Sequence, residues 1–275
     1  MKFTRSLSLF TATLAMLILG SCGGSKTESD SNEFEQAQES LKDQIEDVVY
    51  NIPSPTEIPY LLEATGAEFN QTLVNDRAKA DQYASKNDKA ALNLGVYAAD
   101  IGYLSSYDKT QEAIDYLNAC KSLADGLGVI GSFDLEVLKS FEANISNKDS
   151  LASLLDKTVQ KTGAFLKDDS RNKLAALVVT GSFVEGLYIS TGLIKSYPKN
   201  ILPDDQRNLV LTPLMRVILQ QAQSVDELLK MLSAVEKDEA VTTMITDFTS
   251  LQASYRALNI EEQIKNNRAD LVLTD

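Results

Sequence analysis

The sequence predicts an all-α protein, an antiparallel multi-helix bundle of about ten helices. Three observations predict it. From Phe34 onward apolar residues recur at helical spacing almost without interruption. Leu, Ala, Lys, Glu and Gln dominate, and no stretch before the last few residues alternates as a strand would. The breaks between apolar segments are short, so consecutive helices should turn back on one another.

The first helix is expected over about 34–50, with Ala37, Leu41 and Ile45 on one face. "NIPSPTEIP" ends it. Ser54, Pro55 and Glu57 have the spacing of a capping box that opens a helix to about 65. Further helices are expected at about 67–84, 88–107, 109–125, 132–145 and 148–167. The segment 170–197 is the longest, and Pro198 and Pro203 stop it. A helix over 204–222 contains Pro213, where a kink or break is expected. Ser224 with Glu227 suggests a second capping box and a helix over 225–236. Helices over 239–257 and 260–266 follow, and 267–275 forms a tail.

The N-terminus specifies location. Lys2 and Arg5 precede an apolar run from Leu7 to Leu19. That run is shorter than the roughly 20 residues a spanning helix needs, and small residues follow it, as in a secretory signal. Leu19-Gly20-Ser21-Cys22 resembles the lipobox of bacterial lipoproteins. The resemblance covers residues 1–22. It implies cleavage after residue 21 and lipid on Cys22, hence attachment to a membrane without spanning it. Residues 22–33, "CGGSKTESDSNE", then read as a lipidated flexible tether, and 34–266 as one all-α domain. "KTESD" resembles surface-export tethers of Bacteroidota lipoproteins, and the chain as a whole resembles the helical lipoproteins of that group. The resemblance implies a cell-envelope protein, on the outer membrane in preference to the inner, with its domain in the periplasm or at the cell surface.

Charge and composition narrow the function. The formal net charge is −13. Removal of residues 1–21, which carry two bases and no acid, leaves the rest more acidic still. Such a surface repels phosphate backbones, so no nucleic-acid partner is expected. With Cys22 lipidated, Cys120 is the one remaining cysteine and no internal disulfide is expected. It occupies an apolar helical position and reads as a buried thiol. The chain has no histidine. That removes Ser-His and Cys-His catalysis and the histidine-based metal motifs, and no cofactor or metal is expected.

Two motifs fail on context. "GLGVIG" (126–131) has dinucleotide-loop spacing but follows a helix, so Gly126 reads as the left-handed residue ending that helix and Ser132 as the next cap. "KTG" (161–163) lies in a helical segment where penicillin-recognising enzymes require a strand. "EKDEA" (236–240) reads as a solvated helix junction.

One internal echo stands out. Shifted by 85 residues, "AALNLGVYAADIGYLSS" (90–106) falls on "AALVVTGSFVEGLYIST" (175–191), with Asp100 on Glu185 and Tyr103 on Tyr188. An internal helical duplication would place these two helices side by side. Both are apolar nearly all round, which marks them as central. A buried acid without partners costs several kcal/mol or stays protonated. The candidate ligand-binding residues are therefore Asn93, Tyr97, Asp100, Tyr103, Glu185 and Tyr188. Three arrangements fit them: acids satisfied within the core by tyrosines and Asn93, a small-ligand cavity, or a general acid–base pair. The expected role is a lipid-anchored protein that binds an envelope partner or a small ligand without catalysis. The alternative is a hydrolase using Asp100 and Glu185.

Overall fold

A computed structural model of the chain describes residues 57–64, 66–128 and 172–259, with four isolated positions between the last two ranges. All lie within one compact unit, Leu41–Asp275. The signal, lipobox and tether, the helices expected over 34–50, 132–145, 148–167 and 260–266, the box at Ser54, the cap at Ser132, "KTG" and the tail lie outside the described residues.

Regular structure among the described residues is all helical. Seven helices of two turns or more follow one another: α1 (Glu57–Ala64), α2 (Asn87–Ser106), α3 (Thr110–Gly126), α4 (Asn172–Ser196), α5 (Asp204–Gln220), α6 (Ala222–Ala234) and α7 (Glu239–Ala257). The periodic segments end within a few residues of where their spacing ends, because each buries one continuous apolar face.

One expected helix is not formed. Residues 67–84 are a strap carrying two 3-10 turns, Gln71–Leu73 and Arg77–Lys79, and a single helical turn, Ala80–Tyr83. The cause is local. Asn70 Oδ1 accepts the amide of Thr72, and Asp76 Oδ1 accepts the amide of Ala78, both at 3.0 Å. Short polar side chains that bind the backbone two residues on compete with helix propagation.

Three smaller expectations are also corrected. Gly126 stays helical, and the left-handed residue is Gly128, with φ +71°. Of the kink or break expected at Pro213, the break is absent, since helix α5 runs through it. The carbonyl that Pro213 leaves unbonded is that of Leu209, which is 75% exposed, so water can bind it. Ser224 is not a cap: α6 begins two residues earlier, and Ser224 Oγ donates to Gln221 Oε1 at 2.9 Å.

The centre of the unit is the α2–α4 pair. Lys173 meets Asp88, Gly181 faces Val96, and Glu185 faces Asp100, each 85 residues apart. The two helices therefore run parallel, which corrects the antiparallel expectation for this pair. Connectivity supplies the reason. Helix α3 returns along α2, and its last residue, Gly126, lies against Ala84 just before α2 begins. Helix α4 then starts from that same end. Helix α7 is also parallel to α4, since Asp238 meets Lys173 and the rings of Phe183 and Phe248 lie 6.1 Å apart.

Glycines let α2 and α4 touch backbone to backbone. A Cβ on Gly95 would fall 2.7 Å from the Ser182 nitrogen and closer still to the Val178 oxygen, and one on Gly181 would overlap the Leu92 carbonyl. Two apolar cores flank this contact. One gathers Leu94, Ile101, Leu117, Leu123 and Leu177 with Val225, Leu228 and Met231 of α6. The other joins Leu62, Leu73, Tyr103, Ile189 and Leu193 with Leu211 and Leu214 of α5. Helix α4 is long and apolar enough to cross a membrane by length and composition, and half of its apolar window is buried against the rest of the unit.

Candidate functional site: a bridged pair of buried acids

The parallel register of α2 and α4 brings Asp100 and Glu185 to one level. Asp100 is fully buried and Glu185 is 6% exposed. The strap supplies the group between them. Asn75 gives Asp100 Oδ2 both its backbone amide, at 3.3 Å, and its side-chain Nδ2, at 3.2 Å. The Asn75 side chain also lies near enough to Glu185 to favour its charged form. Asp100 Oδ1 and Glu185 Oε1 then remain without a hydrogen-bond partner.

Electrostatics follow from this geometry. Burial, reinforced by the neighbouring Glu185, pushes Asp100 up to about 8 against the opposing bonds from Asn75. Burial pushes Glu185 up to about 7, again against Asn75. Two acids so placed share their titration, and the pair retains a proton near neutral pH.

The surrounding tyrosines serve the strap and not the acids. Tyr97 Oη donates to the Asp76 carbonyl at 3.0 Å, and Tyr116 Oη donates to the Asn75 carbonyl. Tyr103 Oη accepts the Asn70 amide at 2.8 Å and donates to the Asn70 carbonyl at 3.3 Å. The rings of Tyr97 and Tyr116 meet edge to face at 5.7 Å. Burial raises all three phenols, so they stay protonated as donors. Cys120 is buried beside this cluster, and burial followed by Asp100 pushes its thiol up, which leaves it unreactive.

Of the six residues the sequence singled out, four belong to this cluster: Tyr97, Asp100, Tyr103 and Glu185. Asn93 does not, because its Nδ2 donates to the Lys89 carbonyl of its own helix at 2.9 Å. Tyr188 is 51% exposed and faces away. Its counterpart Tyr103 is covered by the strap, and that cover has no equivalent over Tyr188. The residue that sequence reasoning missed is Asn75. The polar break "NDR" at 75–77 was its only signal, and helical spacing in 67–84 obscured it.

A cleft of about 200 Å³ lies further along, between residues 67–70 of the strap and Leu193, Ser196, Tyr197 and Pro198 at the end of α4. Neither acid lines it. Among the described residues no group of three or more Cys, Asp or Glu is placed to hold a metal ion. The chain matches no protein-family model, no curated protein and no solved structure.

Proposed function

We infer that the protein is a lipid-anchored cell-envelope protein whose helical unit binds or braces another envelope component without catalysis. The anchor rests on the lipobox at Leu19–Cys22. Two or three acyl chains on one cysteine give stable anchoring, since each buried methylene contributes about 0.8 kcal/mol. The placement, on the outer membrane with the unit in the periplasm or at the cell surface, rests on the same residues and on the acidic tether. A bundle of about ten helices with an internal duplication is consistent with the common 85-residue register of α2 and α4.

One observation carries the non-catalytic reading: the two acids of the sequence echo, Asp100 and Glu185, are closed off. Asp100 has no exposed surface, Glu185 has almost none, and the Asn75 amide occupies the space between them. A substrate would have to displace Asn75 to reach either. The hydrolase alternative draws on the same pair, because two adjacent acids that share a proton near neutral pH suit general acid–base chemistry.

Two variants test these readings. Cys22→Ser should move the protein out of the membrane fraction, and persistence there would sink the anchor. Asp100→Asn/Glu185→Gln should fold and keep its cellular role. Loss of that role in a folded double variant would favour the hydrolase.

A further inference from the structure

We propose that residues 66–79 are a proton-operated strap, held closed while the Asp100–Glu185 pair retains a proton and released when both acids are charged. The strap crosses the α2–α4 pair, with Phe69 stacked on Tyr103 and Ala67 and Leu73 buried in the core. Leu73 sits on Gly192, where an added Cβ would fall 2.6 Å from its Cδ2. Tyr103 holds Asn70, Tyr97 holds Asp76, and Tyr116 holds Asn75. The central fastening is the two hydrogen bonds from Asn75 to Asp100 Oδ2, beside Glu185.

The second proton cannot leave without cost. Asp100 Oδ1 and Glu185 Oε1 have no donor, so two charges there would face each other in a dry site with half of their oxygens unsolvated. Relief requires either that the acids separate or that water enters. Separation is opposed by the apolar cores that α2 and α4 share on both sides of their contact. Among the described residues the strap is the remaining cover. Asn75 is only half-buried, and residues 76–79 are exposed. Water therefore enters by lifting the strap.

No other neighbour takes over the titration. Tyr97 on α2, and Tyr116 and Cys120 on α3, are held protonated by burial, Tyr116 up to about 12. On the strap itself, Arg77 pairs with Asp115 of α3, and the Asp76 carboxylate accepts the Ala78 amide. The strap also forms one wall of the cleft at 67–70, so its release would change access there.

Amide hydrogen exchange on the purified full-length chain in detergent tests this. After correction for base catalysis, protection over 70–79 should fall between about pH 6 and about pH 9 by at least roughly tenfold more than that of α2 and α4. In Asp100→Asn/Glu185→Gln the strap should show no such change. Constant strap protection in the native chain would overturn the proposal. So would an equal fall in the double variant, or a strap fall no larger than that of α2 and α4, which would mean general loosening. Carboxyl ¹³C shifts of the native chain give a variant-free check: full ionisation of both acids already at about pH 6 would also overturn it.

Discussion

The α-carbon of Gly95 lies against the carbonyl of Val178, so the backbones of α2 and α4 are in direct contact. A methyl group there has nowhere to go, because the opposing atoms are backbone held in another helix. Gly95→Ala and Gly181→Ala should each cost about 3 kcal/mol or more, at the top of the range for overpacking. Gly186, on the same helix, has nothing within 4 Å of a built Cβ. Gly186→Ala should therefore stabilise by about 1 kcal/mol through helix propensity alone. Urea midpoints by circular dichroism would separate the three. Equal effects at all three positions would contradict the backbone contact.

Stability should fall as pH rises. Free Asp and Glu titrate near 4. In the folded chain Asp100 is pushed up to about 8 and Glu185 to about 7. The native state thus binds more protons than the unfolded state between these limits. The contribution is complete below about pH 4 and is lost as the pH rises through about 7 and 8, with a slope of up to about 1.4 kcal/mol per pH unit for each carboxyl. Thermal melts between pH 5 and 9 should show a declining midpoint, and Asp100→Asn/Glu185→Gln should flatten it. A native-chain midpoint that rises with pH would contradict the raised pair.

Lys173 joins three helices at one end of the unit. Its Nζ reaches Asp88 at the start of α2, at 2.8 Å, and Asp238 at the cap of α7. Burial opposes its charge, but bonds to Asp238 and Asp88 outweigh that and raise its pKa. Asp238 is held well below the usual carboxylate range, mainly by Lys173. All three side chains retain some exposure, so Lys173→Met should cost about 1 kcal/mol and less at high salt. Asp88→Asn should then cost less in the Lys173→Met background than alone. Additive costs in that cycle would mean the contact contributes nothing.

Removing a strap hydroxyl should loosen the strap before it loosens the helices. Tyr97→Phe and Tyr116→Phe each delete one donor to a strap carbonyl at about 1 kcal/mol. Arg77 and Lys79 are exposed beside these carbonyls. Trypsin should cut after them faster in both variants, with little change in the overall melt. Unchanged cleavage would mean that other contacts hold the strap.

Sequence and structure agree where one physical signal dominates. Long apolar periodicity fixed α2, α4 and α7 to within about two residues, because burial of a continuous face overrides everything local. The Asp100–Glu185 meeting was legible as an echo between two helices, since helices of matching composition pack in matching register. The strap was not legible. Its residues keep helical spacing, and the Asx bonds of Asn70 and Asp76 that prevent a helix are visible only once the backbone is placed. Asn75 was hidden for the same reason, as its role depends on two helices far from it in sequence. "EKDEA" looked like a solvated junction, yet Asp238 within it caps α7 and binds Lys173.

The parallel course of α2, α4 and α7 gives the unit an electrical axis. In an antiparallel bundle neighbouring helix dipoles oppose one another, whereas three helices starting from one end add theirs there. That end carries Asp88 in the first turn of α2, and Asp238 and Glu239 at the start of α7. Helix α4 has no acid in its first turn and carries Lys173 instead, which its own dipole disfavours. The two flanking acids offset this by closing on Lys173. The ion cluster thus neutralises a charge that the backbone itself generates.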